Sequence, residues 1–353
     1  MSGGVDSSVV AALLAQRNLA AFGITLAMWP ASREQQRDRG CCSIDAVEDA
    51  RRVATSLDLP HYVWNLEQDF ERSVIDDFVE SRAAGVTLNP CVQCNQRVKF
   101  GLLLERAVAA GATHLATGHY AQTSSAGGEC RLHRSRDLRR DQSYVLHRLD
   151  QQQLSRAVFP LGAFASKQEV RATAAALGLG TARKPESQDL CFVERTLNDE
   201  LRRRLGSRLQ AGPVVDSAGR ELGTHGGLAL LTVGQRSGLS IANHVPDAAP
   251  RYVIELRAAT NTAVVGERAR LAVRTITAAR CSWISGSPPA AGSAAQVQLR
   301  AHGAPLQATI DGVAGEELRV GLDQPAMQAA PGQALVVYAG DRVLGGGVIV
   351  DAA

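Results

Sequence analysis

Apolar and polar positions along the first 120 residues alternate in two periods. Residues 22–28 and 61–66 are short runs rich in β-branched and aromatic residues, which predict strands, as does 113–119 at its start. Residues 9–14 continue an apolar stripe that predicts a helix opening almost at the first residue. Residues 44–57 have helical spacing, with Asp45, Glu48 and Asp49 early and Arg51 and Arg52 later, as the helix dipole favours. Residues 98–109 predict a helix that stops near Gly111. Strand–helix alternation of this kind predicts an α/β domain with a doubly wound parallel sheet. Residues 125–200 read as helices joined by Arg-rich loops. From about residue 205 the helical period is lost and Gly and Pro recur between short Val, Leu and Ile runs. The predicted units are 1–204, a small β-rich domain at 205–265, and a C-terminal β-barrel at 266–353 that ends in a hairpin over 335–344.

The chemistry begins where the first helix begins. Ser2, Gly3, Gly4, Val5, Asp6, Ser7 and Ser8 put two glycines just before the apolar stripe. Glycines let the backbone approach a ligand, Ser7 and Ser8 are expected to cap the helix, and its exposed N–H groups form an anion site. The Gly-Lys-Ser/Thr ending of a Walker loop is absent. The string SGGVDSS resembles the pyrophosphate loop of ATP pyrophosphatases, which bind ATP and release pyrophosphate. Such a loop ordinarily follows a buried strand, and only Met1 precedes it. The expectation is that the true start lies upstream, because loss of an inner parallel strand would expose two sheet edges.

Composition narrows the setting. The chain has 353 residues, 45% of them hydrophobic, and a formal charge of +3, too small to argue for nucleic acid by itself. No apolar run approaches membrane-spanning length and no signal peptide is visible, so the expectation is a cytoplasmic enzyme without a membrane partner. The 38 basic residues include only three lysines, Lys99, Lys167 and Lys184, which marks these as candidates for places that need a compact ammonium. Seven cysteines, an odd number in a long chain, argue against a secreted disulfide framework. Cys91 and Cys94 form a C-x-x-C just before a predicted helix, where a thiol pKa is lowered, and Cys191 lies in a polar segment. These three support a sulfur-transfer pair of Cys94 with Cys191, an iron–sulfur cluster on all three with one iron open, or, least well, structural zinc. Cys130 and Cys281 are expected to pack, Cys41 and Cys42 receive no role, and His225 and His244 read as loop or core histidines.

Read together and in order, SGGVDSS, NPCVQCNQRVKFG, ATGHYA, RDQSYVL, ESQDLCFV and LTVGQRSGL resemble the bacterial tRNA-specific 2-thiouridylase family over nearly the whole chain. The resemblance implies a pyrophosphate-loop domain of the adenine nucleotide alpha hydrolase-like type, a central β domain and a barrel. It also implies ATP and Mg²⁺ as cofactors, the tRNA anticodon loop as partner, and a sulfur donor protein, a cysteine desulfurase or relay protein. Carried over, Ser2 to Ser8 hold the ATP phosphates, and Met28 and Gly118 contact the nucleotide. Uracil O2 of the wobble uridine attacks the α-phosphorus, so that AMP becomes the leaving group. Cys191 bears the persulfide. Cys94 is the nucleophile, which either attacks C2 or releases sulfide by closing a transient disulfide with Cys191; a reductant then resets the pair.

Three features sharpen or disturb this. Many family members have Asp where this chain has Cys91, so that acid's role near the target base cannot be transferred, and the cluster on Cys91, Cys94 and Cys191 stays open as an alternative sulfur carrier. Another alternative is an ATP pyrophosphatase acting on a small molecule. The family's RNA contacts fall on Asn89, Pro90, Cys91, His119, Arg140, Asp141, Gln142, Gln333 and, more weakly, Arg300. Arg131, Arg134, Arg136, Arg139 and Arg140 crowd one segment, and aromatics are only 4%, so phosphate contacts are expected to dominate over stacking. Arg202 to Arg204 read as a solvated helix face.

Overall fold

The computed structural model describes residues 1–28, 44–185, 190–193, 195–239, 241, 250–327 and 329–353. Cys41, Cys42, His244 and residues 186–189 of the Cys191 segment lie outside the described residues.

The N-terminal domain is α/β. After helix α1 (Val5–Gln16), strand β1 (Gly23–Ala27) pairs in parallel with β2 (His61–Asn65), and helix α2 (Ile44–Ser56) lies between them in sequence. A helix over 67–83 follows, then one over 90–109, then β3 (Leu115–Ala116). β4 (Ala121–Ala126) and β5 (Glu129–Arg134) form a hairpin, and β6 (Ala157–Val158) pairs in parallel with β3. Among the described residues the parallel strands therefore stand as two pairs, β1–β2 and β3–β6, with no hydrogen-bonded strand joining them. α1 buries Val5, Val9, Val10 and Ala12 against Val170 and Ala174 of the helix Lys167–Ala176, which fixes the loop ahead of α1 to that helix.

The central unit is a sheet of order β8 (Glu221–His225), β7 (Gly212–Val215), β10 (Thr262–Gly266), β9 (Tyr252–Arg257), closed over Val214, Val253, Ala263 and Val265. Buried Arg82 ties it to the first domain, donating to Thr232 Oγ1 at 2.9 Å and to Thr87 Oγ1 at 3.0 Å. Beyond it, β11 (Ala272–Trp283), β14 (Glu317–Met327), β13 (Leu306–Ala314), β12 (Ala294–Gln298), β15 (Ala334–Ala339) and β16 (Arg342–Ala352) close into a barrel through the β11–β16 pairing. The terminal hairpin turns at Gly340, at φ +64°.

The segment expected to be helical from residue 125 instead begins inside the β4–β5 hairpin, which extends the barrel sheet through Arg342 and Val343 of β16. Gly127 and Gly128 have φ +60° and +80°, the left-handed pair that a two-residue hairpin turn requires. Arg202 to Arg204 are also not merely solvated. Arg204 is buried to 10% exposure between Glu200, 2.6 Å away, and Glu71.

Candidate active site

The start of α1 is built as a cradle, though differently from the expected cap. Gly4 occupies the N-cap and no side chain caps the helix. Ser7 and Ser8 instead donate back to the Gly4 carbonyl at 3.2 and 2.8 Å, and the Ser2 N–H donates to Ser7 Oγ at 3.0 Å. The first-turn N–H groups are thereby left to an incoming anion, where the helix dipole adds to their pull. Gly3, at φ +65°, lies so close to α2 that a Cβ would run into the Ala46 carbonyl. Gly118 faces the same turn, where a Cβ would stand 2.9 Å from that of Asp6.

A carboxylate in the first turn would repel a phosphate, and the fold neutralises it. Lys167, 6% exposed at its side chain, reaches both oxygens of Asp6 at 2.7 and 2.8 Å, and the Tyr120 hydroxyl donates to Oδ1 at 2.7 Å. Lys184 pairs with Asp49 of α2 at 2.5 Å, on the other side of the loop.

These groups open on a cavity of about 3170 Å³, which continues inward between the two strand pairs. Ser2, Gly4, Val5, Asp6 and Ser7 line it, as do Met28 and Gly118; Ser8 is fully buried beneath the loop. The cysteines face the same space. Asn89 caps the helix over 90–109 by accepting from the Cys91 N–H at 3.0 Å, with Pro90 in the first turn. Over Cys94–Leu103 this helix widens to i→i+5 winding, a form frequent at functional sites. Cys94 is 8% exposed in an apolar cluster with Met28 and Phe192, and Cys191 packs against the same cluster half-buried. Cys91 is open to the cavity. Desolvation by the surrounding walls raises its thiol pKa against the opposing pull of Lys99, so the lowered value expected at a helix start does not hold for this residue. Among the described residues no three His, Cys, Asp or Glu side chains are gathered as a metal site, so the three cysteines as placed do not form a cluster-binding set.

His119 lies between Phe100 and Phe159, with Nδ1 2.8 Å from Thr117 Oγ1. Burial, with Lys99 nearby, holds its pKa well below the ordinary value, so the ring is neutral at pH 7. Gln142 accepts from the Tyr120 N–H at 3.0 Å and Asp141 is buried, while Arg140 lines the cavity beside them. Arg300 is exposed on the barrel, and the adjacent Ala301 and His302 reach the cavity wall. Gln333 stands apart from the cavity. Its neighbour Gly332 packs on Val86 and Thr87, and the Thr87 N–H donates to Pro331 at 3.0 Å, just ahead of Asn89.

Comparison with known proteins gives the same layout. Residues 1–195 match the family described as tRNA methyl transferase HUP domain, 198–267 the tRNA methyl transferase PRC-barrel domain, and 273–349 the aminomethyltransferase beta-barrel domain. The tRNA-specific 2-thiouridylase MnmA of Acidothermus cellulolyticus is 46% identical over 351 residues, 99% of this chain and 96% of that protein. The proteins of the same name from Chloroflexus aurantiacus and Streptomyces griseus are 44% and 43% identical, each over 99% of this chain and over 96% and 93% of their own lengths. The chain belongs to the tRNA-specific 2-thiouridylase family.

Within this thiouridylase framework the structure adds residues that the motifs did not supply. Lys167 and Tyr120, which hold Asp6, come from segments remote in sequence; the scarcity of lysine was the signal for the first, and the second lies in the ATGHYA motif with no role read for it there. Lys99 and Lys184 both line the cavity, so each of the three lysines lies at it or at its loop. Of the arginine-rich segment, Arg134 is turned inward and buried, and Arg139 is 87% exposed at its side chain. Cys130 and Cys281 pack as expected, and His225 is buried against the Asn261 carbonyl. No helix among the described residues is long and apolar enough to cross a membrane.

Proposed function

We infer that this chain catalyses the ATP-dependent 2-thiolation of the wobble uridine of tRNA. The observation that carries this reading is that one cavity is lined by the glycine loop, by Met28 and Gly118, and by Cys94 and Cys191. A phosphate cradle beside buried thiols is what carbonyl activation followed by sulfur delivery needs. The cavity is several times the usual ~300–1,000 Å³ of a small-ligand site, which suits a nucleotide together with an extruded base.

ATP enters as a substrate with its phosphates on the N–H groups of the 2–8 loop. Asp6 is the carboxylate at the loop, but Lys167 holds both its oxygens, so a Mg²⁺ ion bound there would be carried by phosphate oxygens and water unless Asp6 gave up one of those bonds; it would supply charge neutralisation at the phosphates. Uracil O2 attacks the α-phosphorus, pyrophosphate departs, and C2 then carries AMP as leaving group. Cys94 thiolate attacks Cys191 Sγ of the persulfide, a disulfide forms and hydrosulfide leaves. Hydrosulfide adds to C2 and AMP is expelled, giving the thiocarbonyl. A dithiol supplies the two electrons that restore both thiols. Asn89 and Pro90 shape the start of the cysteine helix near the target base, while His119, Arg140, Asp141, Gln142, Arg300 and Gln333 belong to the RNA-facing side. Neutral His119 offers a hydrogen bond there without a charge.

The shared cavity of Cys91, Cys94 and Cys191 is the one observation that favours a cluster as sulfur carrier. The experiment is incubation with ATP, Mg²⁺, a sulfur donor and unmodified tRNA, with 2-thiouridine read by mass spectrometry. Cys94→Ser and Cys191→Ser are each expected to abolish thiolation while leaving ATP binding intact; full thiolation by either overturns the assignment. Iron and sulfide assays on anaerobically purified protein decide the carrier. Iron-free protein with full activity supports the persulfide, and activity proportional to iron content overturns it. Pyrophosphate release indifferent to tRNA would point instead to a small-molecule substrate.

A further inference from the structure

The segments read as RNA contacts at Arg140–Gln142 and at Arg300 lie on different domains, yet a continuous buried polar chain joins them. Asp141 accepts from the Ser135 and Ser143 N–H groups at 2.9 and 3.2 Å and from the Ser143 hydroxyl at 2.7 Å, which folds the 135–142 loop around it. Its second oxygen also accepts from Arg134 Nη1 at 3.2 Å. The same Nη1 donates to Gln298 Oε1, on the barrel, at 2.8 Å. Gln298 Nε2 in turn donates to the carbonyls of Arg300 and Ala301, each at 3.0 Å, and so sets the turn that presents Arg300. The Arg134 guanidinium carbon stands 3.6 Å from the centre of the Tyr338 ring, and the Tyr338 hydroxyl is 3.3 Å from Ser143 Oγ, which returns the chain to its start. Arg134, Asp141 and Gln298 are 8%, 6% and 3% exposed.

Such a chain is a poor device for stability alone. Burying a guanidinium and a carboxylate costs solvation that their attraction only partly returns, and apolar residues of the same shape often do as well. Its distinctive property is directional: each bond fixes an angle as well as a distance, so the two ends cannot shift independently. We propose that Arg134 and Gln298 are positioning residues that hold the Arg300 turn of the barrel in register with the 140–142 loop, so that one tRNA engages both. This rests on the reading of those two segments as RNA contacts. Neither residue touches the RNA, the nucleotide or the reacting atoms.

The test is steady-state thiolation with tRNA varied at saturating ATP, and with ATP varied at saturating tRNA, for Gln298→Leu, Gln298→Glu, Arg300→Ala and the Gln298→Leu/Arg300→Ala double variant. Gln298→Leu removes all three bonds. Gln298→Glu keeps the acceptor toward Arg134 and sets an oxygen against the two carbonyls, so it pushes the Arg300 turn away where Gln298→Leu only releases it; a melting temperature for each variant separates loss of register from loss of folding. Each single variant is expected to raise KM for tRNA about tenfold, with kcat and KM for ATP within about twofold. The double variant is expected to match Arg300→Ala, because Gln298 acts through that turn. Loss of kcat at unchanged KM for tRNA, the signature of a smaller folded fraction, overturns the proposal, and so does full additivity in the double variant. If Arg300→Ala alone leaves KM for tRNA unchanged, the RNA reading of that turn has failed and the proposal falls with it.

Discussion

Asp6 shows how a residue dictated by one motif depends on residues outside it. A carboxylate in the first turn of α1 suits the helix dipole but opposes the phosphate that the loop should hold, and Lys167 resolves the conflict from a helix 161 positions away. Lys167→Met is expected to lower ATP affinity about tenfold or more. It should also destabilise the fold by about 3 kcal/mol, because it strands a partly buried carboxylate. Calorimetric titration with a non-hydrolysable ATP analogue and thermal melting check both. An Asp6→Asn/Lys167→Met double variant should regain most of the lost stability and, with the repelling carboxylate gone, most of the lost ATP affinity. Stability equal to that of Lys167→Met alone would show that the pair does not act as a unit. Gly3→Ala should be costly for a different reason, since the backbone there is left-handed and a methyl group meets the Ala46 carbonyl. The lysines were legible as candidates because so few remain in an arginine-rich chain. Their partners were not, since which carboxylate a lysine meets is decided by packing between distant segments.

At the scale of elements, the helix expected over 98–109 begins at Pro90, so Cys91 and Cys94 lie within it rather than ahead of it. Asn-Pro ahead of the first cysteine is a helix-start signal, and Asn89 does cap it. Asn89→Ala is expected to cost about 1 kcal/mol and to loosen the turn carrying Cys91 and Cys94. Comparison of hydrogen exchange in that turn between the variant and the wild-type chain checks this, and unchanged protection would refute it. The wide winding over Cys94–Leu103 could not be read from residue spacing, because it arises where the helix must fit its neighbours. The dipole is a property of the element, whereas desolvation belongs to the cavity wall, and around Cys91 it raises the thiol pKa. The β4–β5 hairpin was signalled only by Gly127-Gly128, in a stretch whose arginines suggested exposed helices.

Across the whole molecule, that hairpin matters more than its length suggests. By extending the barrel sheet it makes one buried polar and apolar interface out of two domains, with Tyr144, Leu132, Val336 and Tyr338 in a shared cluster. His147 lies beside this interface, 1% exposed, its Nδ1 2.8 Å from the Tyr144 carbonyl and its Nε2 without a partner among the described residues. Burial lowers its pKa to about 3, and burial likewise lowers those of His119 and His225. The folded protein thus keeps these rings neutral, whereas the unfolded chain takes up protons below about pH 6.5. A depressed folded pKa makes their contribution to stability fully present above pH 6.5 and progressively lost as the pH falls toward the folded value. For His147 alone the loss between pH 6.5 and pH 5 is about 2 kcal/mol, at about 1.4 kcal/mol per pH unit. The melting temperature should therefore be level from pH 8 to 7 and fall steeply from 6.5 to 5. His147→Asn should flatten that slope whatever it does to the stability at pH 8, because the slope reports protons taken up on unfolding and the plateau reports packing. A variant whose slope matches the wild-type chain would show that His147 is protonated in the folded protein, and the interface around Tyr144 would then have to be open to water.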